Sequence, residues 1–383
     1  MRKPKILILT VPHGASHRGA ADALRHALCE IEAGLTAEVA DALEHCAPWF
    51  RAYYNSYEIP LKHTPRVWGW IEAVQHQSSS TGPGWLYRRG ARPLFRFIDN
   101  FGPDIVIATE VGVCELAAID KRENHAAYRL VAIELMDFNR AWVQPEVDLY
   151  LVTHEDLGAE LAAAGAAHEK IFCSGQPIHR RFATVPPPDR TRERLGLEPG
   201  IPALLVLFGG TGFGKPRRIV SELRRLQHAV QLVFIAGRNK RLEEEVRRCT
   251  EGMPHTRVLG WADNVQDWMV ACDLAISKPG GSTLAEGFAC GLPMLAYDPL
   301  PGNEQRTCAW IEKWGVGRWI RRSEDLAPAI DRLIGNRSEL DLLRARAKSL
   351  ARPRAAYDGA QQILKLWRDS SNRLLAPTGS SQS

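Results

Sequence analysis

The sequence holds no run of apolar residues approaching the roughly 18 needed to span a bilayer, so any membrane contact is expected to be peripheral. Its eight cysteines lie far apart, with no Cys-x-x-Cys pair and no metal-type spacing, which excludes a disulfide scaffold and a structural metal cluster. Residues such as Cys272 and Cys290 stand in apolar surroundings and read as reduced core cysteines of a cytosolic protein. The basic opening Met1-Arg2-Lys3-Pro4 leads into Ile6-Leu7-Ile8-Leu9, but that apolar run stops at Pro12, short of a signal-peptide core. It reads as a first buried strand. Acidic residues are scarce between Pro48 and Phe97: two, Glu58 and Glu72, against the seven cations Arg51, Lys62, Arg66, Arg88, Arg89, Arg92 and Arg96. No nucleic-acid module accompanies this basic stretch, so nucleic acid is not an expected partner.

What is present is alternation. Short β-branched or Leu-rich runs (5–10, 104–109, 129–133 and 148–152, then 203–208, 231–236, 256–259, 273–277 and 293–297) are separated by helical stretches. This is the mark of parallel sheets covered by helices. A helix over about 18–33 carries Ala20, Leu24, Ala27, Leu28 and Ile31 at helical spacing, and a last amphipathic helix is expected over about 355–368. With 383 residues the chain suits two α/β domains. The run Pro186-Pro187-Pro188 marks the expected boundary. The division is 1–183, a linker at 184–202, 203–352, a crossing helix at 353–369 and a disordered tail at 370–383.

The most informative segment is 273–305. A strand ends in Lys278-Pro279-Gly280-Gly281 and a helix begins at Ser282-Thr283, so small residues let backbone N–H groups and a positive helix end approach a diphosphate. One turn on, Glu286 can accept from two adjacent ribose hydroxyls. A second strand ends near Asp298, and Asn303-Glu304-Gln305 follow as groups able to reach sugar hydroxyls. A plain βα unit with a glycine turn is the competing reading.

A second glycine loop, Gly209-Gly210-Thr211-Gly212-Phe213-Gly214-Lys215-Pro216, admits three readings. As a Walker A loop it fails at Pro216, where a Ser or Thr hydroxyl must bind Mg²⁺, and its glycines lack the dinucleotide spacing. The third reading is a turn closing over the diphosphate opposite the 278–283 loop.

These segments resemble the donor-binding half of GT-B glycosyltransferases. They are most similar to the monogalactosyldiacylglycerol synthase and processive diacylglycerol glucosyltransferase family, related to the lipid II-forming GlcNAc transferase (glycosyltransferase family 28). The resemblance implies two Rossmann-like doubly wound domains facing across a cleft. It also implies an inverting transfer of a hexose or N-acetylhexosamine from a UDP-sugar to a hydroxyl of a membrane lipid such as diacylglycerol. By resemblance, Gly210, Thr211, Gly212 and Gly214 with Gly281, Ser282 and Thr283 hold the diphosphate, and Glu286 holds the ribose. The backbone at Trp261 and Ala262 meets the uracil, with Trp261 as mere core the alternative for its side chain. Asn303, Glu304 and Gln305 hold the hexose, with Glu304 also a candidate catalytic residue.

The first loop, Thr10 to Ala21, is similar to the family's glycine-rich turn ending in Gly-His, which makes His17 the candidate base, with His13 its competitor and a simple helix cap the other role for His17. Departures fall on this side, among them Pro12 where plant members carry an acidic residue. Ser16 replaces the usual glycine, and in the segment 134–148 Leu135 and Asn139 stand at the family's Asp and His positions, with Trp142, Pro145 and Asp148 kept and Asp137 nearby. No Asp-x-Asp occurs, so no metal and no cofactor beyond the UDP-sugar substrate is expected.

The stretch 48–97 also holds 11 of the chain's 30 aromatics, among them Trp49, Trp68, Trp70 and Trp85. Rings among cations suit an anionic membrane surface, which implies an enzyme on the inner face of the cell membrane; the alternative is that these rings pack beneath helices of the first domain. A UDP-GlcNAc 2-epimerase on the same fold, or a UDP-sugar binder without catalysis, are the rival functions.

Overall fold

The computed structural model describes residues 2–12, 15–56, 64, 71–72, 74–134, 138–210, 212, 214–300 and 302–375. The chain divides into two units: β1 (Lys5–Thr10), residues 17–177 and the chain from Arg354 onward form one, and residues 178–353 form the body of the other.

In the first unit six parallel strands run in the order β2-β1-β3-β4-β5-β6. They are β1, β2 (Thr36–Asp41), β3 (Ile105–Ala108), β4 (Arg129–Glu134), β5 (Val147–Val152) and β6 (Ile171–Cys173). The central strands are buried on both faces, as a helix-covered parallel sheet requires, and therefore read as unbroken apolar runs. Its described helices are α1 (Ala15–Ile31), α2 (Pro48–Asn55), α3 (Gly84–Gly90), α4 (Arg92–Phe101), α5 (Val111–Asn124) and α6 (Glu155–Ala163). α1 buries Ala20, Leu24, Ala27 and Leu28, the face that its 3- and 4-residue spacing predicts.

In the second unit α7 (Pro188–Arg194) precedes β7 (Ala203–Leu207), α8 (Pro216–Leu223), β8 (Gln231–Ile235), α9 (Lys240–Cys249) and β9 (Thr256–Leu259). There follow α10 (Val265–Ala271), β10 (Leu274–Ser277), α11 (Gly281–Cys290), β11 (Met294–Tyr297), α12 (Asn303–Trp314) and β12 (Gly317–Ile320), then α13 (Leu326–Gly335) and α14 (Arg337–Leu350). Its sheet has the order β12-β11-β10-β7-β8-β9, again all parallel.

The last helix, α15 (Ala355–Leu375), belongs to the first unit. Ala356, Ala360, Ile363 and Leu364 pack on the α1 face of that sheet with Leu24, Leu28 and Leu151. A methyl at Gly359 would stand 3.1 Å from Leu151 Cδ1, so the helix lies close to the strand.

Three expectations are corrected. β2, β6 and β12 were not foreseen from the sequence. Residues 184–202 are not a bare linker: Pro188 occupies the first turn of α7, where its missing N–H costs nothing. Arg192 then ties that helix to the second unit through Ala271 O (2.7 Å), Ile201 O (2.8 Å) and Asp273 (3.0 Å). The boundary accordingly falls at Pro177, ahead of the proline run. Residues 370–375, expected in a disordered tail, continue α15, because Ser370 Oγ donates to Leu366 O (2.8 Å) and accepts from Arg129 Nε (2.9 Å).

Candidate active site

Each sheet has one place where the strand order reverses, and in open parallel sheets ligands bind outside the carboxyl ends of the strands at that place. In the second unit it lies between β7 and β10. There β10 delivers Lys278-Pro279-Gly280 to the start of α11. No side chain caps that helix, and the first N–H to close a helical bond is that of Leu284, onto Gly280 O (3.0 Å). The turn therefore presents the amides of Gly281, Ser282 and Thr283 ahead of the ladder.

Gly280 has an ordinary φ of −69°, and a methyl added to it would meet nothing within 4 Å. Neither conformation nor packing calls for glycine here, which is what a surface kept bare for a ligand looks like.

One turn further, Glu286 is half-buried. Burial pushes its carboxyl up to about 7, against the opposing charge of Arg181. Arg181 also donates to the carbonyl of Asp263, whose carboxylate accepts from Trp261 Nε1 (2.7 Å). The Trp261 ring is 48% exposed and lies under the Arg238 guanidinium at 3.8 Å, so it is not a core residue. Ala262, beside it, is half-buried.

The glycine loop after β7 is braced from behind. The carbonyl of Gly212, a residue at φ 66°, accepts from Asn239 Nδ2 (2.9 Å), and a methyl on Gly212 would stand 2.3 Å from Ala236 O. Arg238 N donates to Gly210 O (3.1 Å), and a methyl on Gly214 would strike the Phe208 ring at 2.5 Å. Part of the glycine content is thus demanded by the neighbouring 236–240 loop. Thr211 lies outside the described residues.

After β11, Asp298 adopts φ 50° and pairs with Lys215 (3.4 Å). Glu304 accepts from Leu300 N (2.6 Å). Burial raises its carboxyl pKa, with Leu300 and Lys278 opposing. Asn303 Oδ1 accepts from Arg306 (2.6 Å), and both Asn303 and Gln305 are exposed at the start of α12. Lys215, Lys278 and Arg181 were not assigned from the sequence, where nothing in their spacing separates them from ordinary surface cations.

In the first unit the order reverses between β1 and β3. His17 stands there, inside the first turn of α1 rather than ahead of it, and its Nδ1 is 2.5 Å from the backbone carbonyl of Thr109, which follows β3. A carbonyl only accepts, so Nδ1 carries the proton and Nε2 is the basic nitrogen. That contact orients the His17 ring.

The described part of the segment 134–148 makes local contacts. Asn139 caps the short turn 140–142 by accepting from Ala141 N (2.9 Å), Trp142 is buried, and Asp148 binds Lys121 (2.7 Å), Arg129 (2.9 Å) and Leu130 N (2.8 Å). Burial would raise the Asp148 pKa, but these donors leave it lowered. His13, Leu135 and Asp137 lie outside the described residues.

The aromatic stretch divides between its two readings. Phe50, Tyr87 and Phe95 are core, and a methyl on Gly90 would strike Phe50 at 2.3 Å. Trp49 (44%), Tyr53 (39%) and Trp85 (65%) are exposed, among exposed Arg51, Arg88, Arg89, Arg92 and Arg96. Trp68 and Trp70 lie outside the described residues. Among the described residues no cluster of metal-ligating side chains forms and no helix is long and apolar enough to cross a membrane.

Comparison with known proteins agrees with this division. Residues 17–178 match the family described as monogalactosyldiacylglycerol (MGDG) synthase, and residues 203–341 match the glycosyltransferase family 28 C-terminal domain. The chain is 27% identical to the probable chloroplastic monogalactosyldiacylglycerol synthase of Glycine max, covering 96% of this chain and 73% of that protein. It is 24% identical to the processive diacylglycerol beta-glucosyltransferase of Bacillus pumilus, covering 90% and 91%. Among solved structures, MurG of Acinetobacter baumannii superposes with a TM-score of 0.65 at 14% identity over 95% of this chain and 100% of that one. The S. aureus MnaA-UDP co-structure does so with 0.62 at 15% identity, over 96% and 97%. The two matched domains together span most of the chain, which thus joins an MGDG-synthase domain to a glycosyltransferase family 28 C-terminal domain and is a sugar-transferring enzyme of the GT-B fold.

Proposed function

We propose that this enzyme moves a hexose or N-acetylhexosamine from a UDP-sugar to a hydroxyl of a membrane lipid such as diacylglycerol, with inversion at the anomeric carbon. The observation that carries the donor half is the bare, uncapped start of α11 with Glu286 one turn inside it, at the switch point of the second sheet. The amides of residues 281–283 and the positive helix end meet the diphosphate, Glu286 accepts from the ribose hydroxyls, and the backbone at Trp261 and Ala262 meets the uracil. Asn303, Glu304 and Gln305 select the hexose. A solved neighbour of the fold was captured with UDP, and another, Anabaena HepE, with UDP-glucose. The lipid acceptor is supported by the names of the plant and Bacillus relatives.

In the reaction the acceptor oxygen attacks the anomeric carbon, the bond to the diphosphate oxygen breaks, and the acceptor proton passes to His17 Nε2, the ring nitrogen other than the one at the Thr109 carbonyl. Fixed backbone donors receive the charge growing on the leaving group, a role for which a metal ion is not required. The exposed Trp49, Tyr53 and Trp85 with their arginines would rest on an anionic membrane surface, consistent with an enzyme working from the inner face of the cell membrane.

The test is mass spectrometry of a total bacterial lipid extract incubated with the protein and UDP-glucose, UDP-galactose or UDP-GlcNAc, with free UDP counted in parallel. A lipid gaining one hexose or N-acetylhexosamine with matching UDP release is expected. Conversion of UDP-GlcNAc without an acceptor would establish 2-epimerisation instead, and UDP-sugar binding without any turnover would leave a non-catalytic binder.

A further inference from the structure

Two lysines meet at the switch point of the second sheet. Lys215 closes the glycine loop after β7, and Lys278 follows β10, the strand paired with β7. Both line one cavity with Phe208, Gly214, Ser277 and Asp298. Lys215 Nζ lies 3.4 Å from Asp298 Oδ1, and Asp298 holds a left-handed backbone conformation uncommon for a residue with a side chain. Lys278 is half-buried. Burial depresses its proton affinity, Glu304 and Asp298 raise it again, and Lys215 adds to the depression. Two lysines and Asp298 thus share the lining of one cavity, with the Glu304 carboxylate acting on Lys278 from beside it.

Such a quartet could serve packing alone, but its place argues otherwise. Lys278 is two residues from Gly280, whose open side no protein atom occupies. A lysine is a compact point charge suited to phosphate. In a sugar nucleotide the terminal phosphate is a diester with one negative charge. In the departing nucleoside diphosphate it is a monoester that approaches two. A cation beside it is therefore worth more in the transition state than with bound donor, the differential that accelerates a reaction.

Resting on the donor reading above, we propose that Lys215 and Lys278 grip the terminal phosphate of the leaving nucleoside diphosphate, exchanging Asp298 and Glu304 for it as the donor binds. Both lysines stay protonated. The anomeric carbon passes from phosphate oxygen to acceptor oxygen, and the acceptor proton goes to His17.

Titration calorimetry with UDP and UMP tests this, because UMP lacks the phosphate in question. Wild type should prefer UDP. Lys278→Met and Lys215→Met should each weaken UDP binding about 10- to 100-fold, the loss of one charge-assisted contact, while UMP affinity stays put and reports an intact fold. Lys278→Arg should restore part of the UDP preference, and in turnover assays kcat should fall more than the donor KM rises. If both methionine variants kept the wild-type ratio of UDP to UMP affinity, the lysines would be structural and the proposal overturned, with the donor reading untouched. A wild-type protein binding neither nucleotide would overturn the donor reading itself, and the proposal with it.

Discussion

The two units are built alike, six parallel strands with helices on the faces, yet they furnish their switch points with different material. In the second unit that place joins main chain, an uncapped helix start, the open Gly280 and a glycine loop braced by its neighbour, to the cations Lys215 and Lys278. In the first it is one side chain, His17, held by a backbone carbonyl. The proposed roles would account for the difference. An anion can be met by N–H groups that need no side chain, whereas taking a proton from a hydroxyl needs a group that titrates near neutrality.

The sharpest way to break this contrast is to remove each unit's own contribution. His17→Ala should lower kcat by about 10²- to 10⁴-fold, the usual worth of a positioned base, and leave UDP affinity unchanged. Single-turnover kinetics beside UDP titration would show it. Near-normal turnover would move the base elsewhere, with His13 the first candidate.

Glu286 tests the other side. Its carboxyl titrates near 7 in the folded protein, above its ordinary 4.5, so the protonated form is the one the fold favours. The associated stability is complete below pH 4.5 and is lost as pH rises through about 7. Glu286→Gln should therefore be more stable than wild type at pH 8, by up to about 3 kcal/mol, and equal to it near pH 4. The ionised carboxylate is the form that accepts two ribose hydroxyls. UDP affinity in wild type should accordingly rise between about pH 6 and 8 relative to the Gln variant. Melting curves and UDP titrations across that range check both signs, and parallel pH profiles for the two proteins would remove the ribose assignment. A residue that weakens the fold at working pH while serving a ligand is the pattern expected of a functional site.

How much of this was legible in the sequence depended on the same distinction. Strands buried on both faces, such as β1, β3 and β7, read as apolar runs. The missed strands β2, β6 and β12 all lie at sheet edges, where one side meets solvent and the pattern carries residues such as Glu38 and Arg318. The turn between β10 and α11 could be read because its glycines and Glu286 hold fixed places along one short segment. The roles of Arg181, Lys215 and Lys278 depend on which loops the fold brings together, and spacing along the chain does not encode that. The proline run misled because proline both stiffens linkers and opens helices, and only the contacts of Arg192 decide which.

Two glycines separate packing from binding at the donor site. Gly212→Ala should destabilise the second unit by about 1–3 kcal/mol, since its φ is 66° and the new methyl meets Ala236 O at 2.3 Å. Gly280→Ala should melt as wild type does, or slightly higher, because it sheds unfolded-state entropy at an ordinary φ with nothing in the way. It should nevertheless bind UDP about tenfold more weakly, roughly 1.4 kcal/mol, if a diphosphate lies against that turn. Unchanged UDP affinity would mean that the bare surface is not where the ligand sits.

The smallest expected effect falls on the first unit, and it asks whether the altered acceptor segment still touches substrate. Asn139 accepts from Ala141 N, the geometry of a local cap, and a lost cap of this kind costs about 1 kcal/mol. In a unit of this size that is a fall in Tm of about 2–4 °C. If the cap is its whole role, Asn139→Ala should show that fall and, well below its Tm, keep wild-type kcat and acceptor KM. Asn139→Asp, which retains the capping oxygen, should recover the Tm. A rise in acceptor KM that appeared in the alanine variant and persisted in the aspartate variant would show that the side-chain amide meets the acceptor. The first unit would then hold a binding surface around its switch point, as is proposed for the second.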